Sequence, residues 1–505
     1  MTLISRVVGF VRDMVIAVIF GATGTTDAFF VAFRIPNLLR RMFGEGAFAQ
    51  AFVPVFTEYR KQRSPQALKD LADHVTGTLL LILSIITFVG IVAAPLIIWL
   101  FAPGFGDDPD KQALATWMLR ITFPYALFIS LTALAGGILN SFGKFAVPAF
   151  TPVFLNLCMI AAALWLAPLL DAPVTALAWG VFAAGIVQLG FQLPALWKIG
   201  LLPRPRFRRA HEGVKRIIKL MLPALFGSSV AQVNMLLNTI LASFLVSGSI
   251  SWLYYSDRFV ELPLALFGIT LSTVILPKLS SEHATKDPAA FSKTLDWGLR
   301  IGVTIALPAM FGLMLLATPI IATLLQYQAF TAFETKMVAI ALAVYAIGLP
   351  GFVMVKILAP GFYARQDTTT PVKIGLIAIG ANIALYVIVV IPWILLDGPA
   401  PHAALAFCAA FASFVNAGLL FRKLRKLGVY TPAKGWSLLL MKVGIGCAVM
   451  ALLLLALTPA ADQWAPWPVM TRVAVLFGLI VLAVITYLIT LRLLGIRPKA
   501  FLSAR

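Results

Sequence analysis

Stretches of about 20 apolar residues recur from one end of this chain to the other, and that pattern leaves few folds open. A helix needs about 20 such residues to cross bilayer hydrocarbon, where every backbone polar group must be satisfied inside its own segment. Of the 505 residues, 61% are hydrophobic and 12% are charged, with a mean hydropathy of +0.95. A soluble domain carries roughly 25% charged residues. Its surface is already more than half apolar, so it could not hide this excess. A soluble enzyme, a disordered scaffold and a secreted disulfide protein are excluded, and an all-α polytopic membrane protein is expected. Cys158, Cys408 and Cys447 lie in apolar stretches without partner spacing, so no disulfide or zinc framework is expected. His74, His211, His283 and His402 are scattered, which argues against a metal site built on histidine pairs. Residues 1–20 carry Arg6, Arg12 and Asp13, so no cleavable signal is expected there.

Spans are expected at 3–20, 27–54, 72–101, 112–140, 146–168, 174–199, 216–246, 251–280, 294–327, 335–363, 371–395, 401–422, 437–458 and 469–492. That makes fourteen. Alternate connecting segments then hold 26 lysines and arginines, against Lys111, Lys336 and Arg472 on the opposite side. This bias fits the positive-inside rule with both termini cytoplasmic. Most of the net charge of +20 is therefore topology, and a nucleic-acid partner is not implied.

The first twelve spans read as two copies of six. Gly21 and Gly248 both close a first span, and Pro36 and Pro263 both sit inside a second span, each pair 227 residues apart. Pro95 and Pro319, Pro124 and Pro350, and Asn156 and Asn382 recur at nearly the same offset. An even number of spans per copy makes the repeats parallel, the layout of transporters whose two bundles rock about a midplane site. The expected organisation is a six-helix lobe over 1–200, a basic linker at 201–215 and a second lobe over 216–425. An additional helix pair over 437–494 and a cytoplasmic tail at 495–505 follow.

Ionisable residues inside spans are the informative ones, because a charge near the bilayer centre costs at least ~2.5 kcal/mol. The first span places Arg6, Arg12 and Asp13 in apolar sequence. The second holds Asp27, Arg34, Asn37, Arg40, Arg41 and Glu45, with Arg34, Asn37 and Arg41 on one helical stripe. Its counterpart in the second copy holds Asp257, Arg258 and Glu261. Mutual neutralisation or snorkelling from helix ends is the plainer account, and it weighs most for Arg40, Arg41 and Glu45. Arg12, Asp13 and Arg258 favour a ligand site. A cationic cavity between the two lobes suits a phosphate-bearing anion, since guanidinium binds phosphate oxygens with two prongs. Asn234, Asn238 and Asn382 are candidates for a coupling-cation site, with interhelical hydrogen bonding as the blander reading. The DDPD run at 107–110 reads better as a solvated loop than as a metal–diphosphate motif. No P-loop, nucleophile elbow or catalytic carboxylate pair is present in the sequence, so no enzyme activity is expected.

The segments SRVVGFVRD, DAFFVAFRIPNLLRRMFGEGAFAQAFVPVFTEYR, SWLYYSDRFVELPLALFG and LAPGFYARQDTTTPVKI resemble the MurJ (MviN) family. These are bacterial lipid II flippases of the multidrug/oligosaccharidyl-lipid/polysaccharide exporter superfamily. The resemblance implies fourteen helices, in two lobes around a cationic cavity with a final pair lining a lipid-tail groove. It implies export of the undecaprenyl-diphosphate-linked disaccharide-pentapeptide across the inner membrane by alternating access. The family's essential arginines fall on Arg6, Arg12, Arg40 and Arg258, with Asp13 and Asp27 also matching. Arg12, Asp13 and Arg258 are then the group that engages the diphosphate. No cofactor is implied; the drive would be a coupling ion or the membrane potential. Partners would be lipid II, the bilayer and cell-wall synthesis or division machinery, with the chain itself a monomer. A drug antiporter of the same superfamily would want an acidic or neutral cavity, and a membrane transferase would want paired carboxylates.

Overall fold

The structure, a computed structural model, describes residues 2–41, 48–207, 211–396 and 398–496; the side chains of 2–3, 223–231 and 233–234 lie outside the description. Among the described residues all regular structure is helical. The chain divides into two compact units, Met1–Ser251 and Trp252–Arg505.

The first unit contains α1 (Thr2–Phe20), α2 (Gly24–Leu39), α3 (Phe48–Gln62), α4 (Pro65–Val92), α5 (Ala94–Phe101) and α6 (Pro109–Thr122). It continues with α7 (Tyr125–Ser141), α8 (Ala146–Phe150), α9 (Pro152–Ala161), α10 (Thr175–Lys198) and α11 (Glu212–Ser243). Local sequence fixes several starts. Ser64 accepts the Ala67 N–H ahead of Pro65, and Asp108 of the DDPD run accepts the Lys111 N–H ahead of Pro109. A side-chain acceptor followed by proline at the first helical position satisfies one orphan donor and removes another. Phe48, Phe52 and Phe56 stack at 5.1 and 5.0 Å and pack with Leu71, Ile138 and Leu139 in an apolar core. Outer helix faces carry exposed Phe88, Leu96, Trp99 and Leu100, suited to lipid contact.

The second unit begins inside α12 (Ser249–Pro263) and continues through α13 (Thr270–Ala284), α14 (Pro288–Leu315), α15 (Ala317–Leu324), α16 (Ala332–Ala346) and α17 (Leu349–Tyr363). Beyond these lie α18 (Thr369–Leu385), α19 (Ile391–Leu395), α20 (Pro401–Lys426), α21 (Trp436–Leu457), α22 (Ala461–Trp464) and α23 (Val469–Leu493). The final pair is fastened to α14. Buried Asp296 accepts from Tyr430 Oη at 2.8 Å, Trp436 Nε1 at 2.7 Å, the Ala433 N–H at 3.2 Å and Arg300 Nε at 2.6 Å. Farther along, Tyr487 Oη donates to the Thr304 carbonyl at 2.7 Å. Arg472, also buried, is held by the carbonyls of Ala322, Gln326, Ala465 and Trp467.

Ten described helices are long and apolar enough to cross a membrane, or eleven counting α16 and α17 as one span bent by 43°. The first helix falls short because it carries three charges, and α2 because it is 16 residues long. Backbone irregularities recur at a nearly constant offset along the chain. Gly21 and Gly248 both have positive φ, at 68° and 101°, a conformation that suits a residue without Cβ. Helices break before Ala94 and Ala317, with Pro95 second and Pro319 third in the piece that follows, and π turns follow Ala161 and Leu385.

Candidate functional site

The charged residues of α1 and α2 enter distinct networks within the first unit. Arg12 and Asp13 are 6% and 5% exposed. Arg12 donates through Nε and Nη2 to Asp13 Oδ1, at 3.0 and 2.6 Å, and through Nη1 to Asn156 Oδ1 of α9 at 3.0 Å. Asn156 Nδ2 in turn donates to the Ser5 carbonyl at 3.2 Å. Gly9 of α1 faces the Asn156 side chain; a Cβ there would lie 3.4 Å from Asn156 Nδ2, an ordinary contact. Arg6, on the same helix, is exposed.

On α2 and just beyond it, Arg34, Asn37, Arg40 and Arg41 are half-buried. Arg34 Nη1 donates to Thr239 Oγ1 of α11, and Arg40 Nε donates to Asn37 Oδ1 at 2.9 Å. Asp27 is placed differently. It is 1% exposed, and its carboxylate accepts the Gly248 N–H at 2.7 Å, the Ser251 N–H at 2.8 Å and Ser251 Oγ at 2.6 Å. Lys111 Nζ completes the cluster at 3.5 Å. Glu45 lies outside the described residues.

In the second unit, Arg258 donates through Nη1 to Glu261 Oε2 at 2.8 Å and through Nη2 to Tyr254 Oη at 3.1 Å. Its guanidinium carbon also stands 4.8 Å from the Tyr254 ring centroid, a cation–π contact. Asp257 is exposed and hydrogen-bonded to the Tyr345 phenol, and Glu261 is exposed. Of the proposed cation ligands, Asn238 belongs to the first unit and is half-buried. Asn382, fully buried in the second, donates to Tyr386 Oη. The side chain of Asn234 lies outside the description.

Sequence reasoning missed the partners more than the charges. Asn156, Lys111, Ser251 and Tyr254 were not singled out as site residues. The only signal for Asn156 was its repeat relation to Asn382. Chemically, these groups give a set of guanidinia held by fixed acceptors, and fixed guanidinia are suited to bidentate contact with a phosphorylated anion.

The profile described as MurJ, lipid II flippase MurJ, matches residues 16–477. The chain belongs to the MurJ family. A relative described as a probable lipid II flippase MurJ, from Vibrio cholerae serotype O1, is 45% identical over 511 residues, covering 100% of this chain and 96% of its own. The solved structure of a lipid II flippase MurJ in an inward closed conformation superposes with a TM-score of 0.79 at 27% identity, covering 97% and 96% of the two chains. An inward-facing transporter of the MATE family, in the MOP superfamily, shares the fold at 15% identity and a TM-score of 0.69, covering 84% and 95%. In this MurJ-family chain Arg12 is buried against an acid and an amide, Arg34 and Arg40 are half-buried on polar side chains, Arg258 is held by Glu261 and Tyr254, and Arg6 is exposed.

Proposed function

We propose that this chain is a lipid II flippase that carries the undecaprenyl-diphosphate-linked peptidoglycan precursor across the bacterial inner membrane. The single observation carrying this reading is the family match over residues 16–477, which spans both compact units. The chain acts as a multi-pass transporter and not as an enzyme.

The finer reading has fourteen spans in two six-helix repeats plus an additional pair, with both termini cytoplasmic. The 26-to-3 charge bias supports the orientation. Matching positive-φ glycines, helix breaks and π turns near one offset support the repeats. Arg6, Arg12, Arg34, Arg40, Arg41 and Arg258 are the cations that bind the diphosphate, with Asn37, Asp13, Asp257 and Glu261 holding or flanking them. A diphosphate taken into bare hydrocarbon would face a penalty of tens of kcal/mol. Guanidinia replace its hydration shell while the polyprenyl tail stays in lipid. Asp27, with three donors and an ammonium already on its carboxylate, fastens α2 to the 248–251 segment and does not touch the headgroup. Alternating access then moves the loaded site between leaflets. With the cell interior negative, outward movement of anionic charge gains ~2.3 kcal/mol per charge per 100 mV.

The test is complementation in cells depleted of their own flippase. Arg12→Ala and Arg258→Ala, present in the membrane at wild-type level, are expected not to support growth, while Arg12→Lys retains partial function. Normal growth with either alanine variant overturns the assignment of that residue.

A further inference from the structure

Two of the four scattered histidines meet in the first unit, although 137 residues separate them. The connector between α10 and α11 brings this about by lying along α4. Its Arg204 N–H donates to Asp73 Oδ1 at 2.8 Å and its Arg206 N–H to the Asp73 carbonyl at 3.1 Å. Gly77 makes room for it, since a Cβ there would stand 2.2 Å from the Arg206 carbonyl oxygen. Held this way, the connector delivers His211, the N-cap of α11, onto His74 of α4. The two imidazoles stack with centroids 5.0 Å apart and planes inclined by 26°. Asp70, one turn before His74, places one carboxylate oxygen 3.4 Å from His74 Nδ1 and the other 3.5 Å from His211 Nε2. One donor atom from each of the three residues lies within 4.8 Å of the others.

We propose that Asp70, His74 and His211 form a binding site for a divalent transition metal of the zinc class. Tetrahedral Zn²⁺ holds imidazole nitrogen and carboxylate oxygen at about 2.0–2.2 Å, which sets neighbouring donors roughly 3.3–3.5 Å apart. Each imidazole nitrogen stands at that spacing from a different Asp70 oxygen, so turning the carboxylate and one ring brings one donor from each residue onto a single ion. Two imidazoles with one carboxylate favour zinc-class ions over magnesium or calcium, which prefer all-oxygen shells. The histidine side chains are only 6% and 16% exposed, so little water competes from their side, and the open fourth position takes a water.

Three existing interactions oppose binding. His74 Nδ1 donates to the Asp70 backbone carbonyl at 2.8 Å, so ligation through that nitrogen moves the ring proton to Nε2 and gives up this bond. Arg206 Nη1 contacts Asp70 Oδ1 at 2.9 Å, but the pair is 59% and 40% exposed, so solvent screens it. His211 Nδ1 accepts the Gly213 N–H at 3.1 Å; ligation through Nε2 moves the ring proton to Nδ1 and gives up that single capping bond. The bound ion clamps the connector and the start of α11 to α4. This function is separate from headgroup binding, and its test reads metal directly.

The full chain, purified in detergent and stripped with a chelator, is titrated with Zn²⁺ by calorimetry and with Co²⁺ by visible absorption. One equivalent is expected to bind, with a cobalt spectrum showing nitrogen ligation. His74→Ala and His211→Asn are each expected to weaken binding at least about tenfold. Asparagine at 211 keeps a capping side chain, so its melting temperature in chelator should match wild type. Arg206→Ala should tighten binding by removing the competing cation. Absence of saturable binding to the wild type, or unchanged affinity in both histidine variants, overturns the proposal.

Discussion

The Asp27 cluster gives the sharpest quantitative expectation. Replacing Asp27 with alanine strands the Gly248 and Ser251 amides and the Ser251 hydroxyl, all now bonded to the carboxylate at 2.6–2.8 Å. It also strands Lys111, whose side chain is 8% exposed and whose other contacts are Ser247 Oγ at 3.2 Å and the Phe105 ring at 4.3 Å. Each unsatisfied buried donor costs about 1–3 kcal/mol, and breaking one side of a buried ion pair costs about 3–5 kcal/mol. These costs overlap because the groups share one carboxylate, so the whole loss should be about 3–5 kcal/mol. Local opening of the 248–251 segment then becomes easier by roughly 100- to 4,000-fold, at about 1.4 kcal/mol per decade. Hydrogen–deuterium exchange on the purified chain reads this directly, as faster exchange of the Gly248 and Ser251 amides, with helices far from the cluster unaffected. Asp27→Asn keeps an acceptor and should fall between wild type and alanine. Adding Lys111→Met to Asp27→Asn should recover part of the protection, because it removes the uncompensated ammonium. Unchanged exchange in Asp27→Ala would refute the reasoning. Restored growth in the double variant supports a fastening role; a growth defect that persists despite recovered protection would instead return Asp27 to the substrate contacts.

Two further outcomes test other joints. Glu58 Oε1 accepts from Arg216 Nη1 at 2.8 Å, and that hydrogen bond holds the carboxyl below its ordinary value of 4.5. A lowered folded-state value means the pair stabilises above about pH 4.5 and loses this as pH falls through the folded value. The melting-temperature gap between wild type and Glu58→Gln should therefore be small but constant near neutrality and close below pH 4.5. A gap that widens in acid would reverse the sign. Asp296→Ala removes the acceptor shared by Tyr430, Trp436, Ala433 and Arg300 and should cost about 3–5 kcal/mol. Limited proteolysis should then cut the 430–436 segment faster, and unaltered cleavage would count against Asp296 as the fastening of α21.

What the sequence discloses follows from what is local. Apolar runs of membrane length mark the helices, Ser64 and Asp108 ahead of proline mark their starts, and Gly21 and Gly248 mark turns that need positive φ. Arg12 and Asp13 stand out because charge is expensive in such runs. Their surroundings do not stand out, because packing supplies them from afar. Asn156 reaches Arg12 across 144 residues, Ser251 reaches Asp27 across 224, and His211 reaches His74 across 137. Asparagine, serine and histidine are unremarkable in membrane helices and their connectors, so nothing in the letters separates these three from their neighbours. The spans show the same limit: Arg6, Arg12 and Asp13 make α1 less apolar than an ordinary membrane helix, and those same charges are what make it informative.

Arg12 is compensated by Asp13, and that bears on how a cationic site can work inside a membrane protein. A guanidinium buried to 6% exposure without a counter-charge would cost several kcal/mol, so an empty site must pair it. Asp13 does so at no loss of position, because Nε and Nη2 share one carboxylate oxygen while Asn156 fixes Nη1. On the proposed assignment of Arg12 to the diphosphate, the anion, with more negative charge and more acceptor oxygens than one carboxylate, would share that fixed guanidinium without first ordering it. The pairing thus lowers the entropic cost of binding. It also limits affinity, since the acid continues to repel the arriving anion. For a transporter that limit is useful, because a headgroup held too tightly would not leave at the far leaflet.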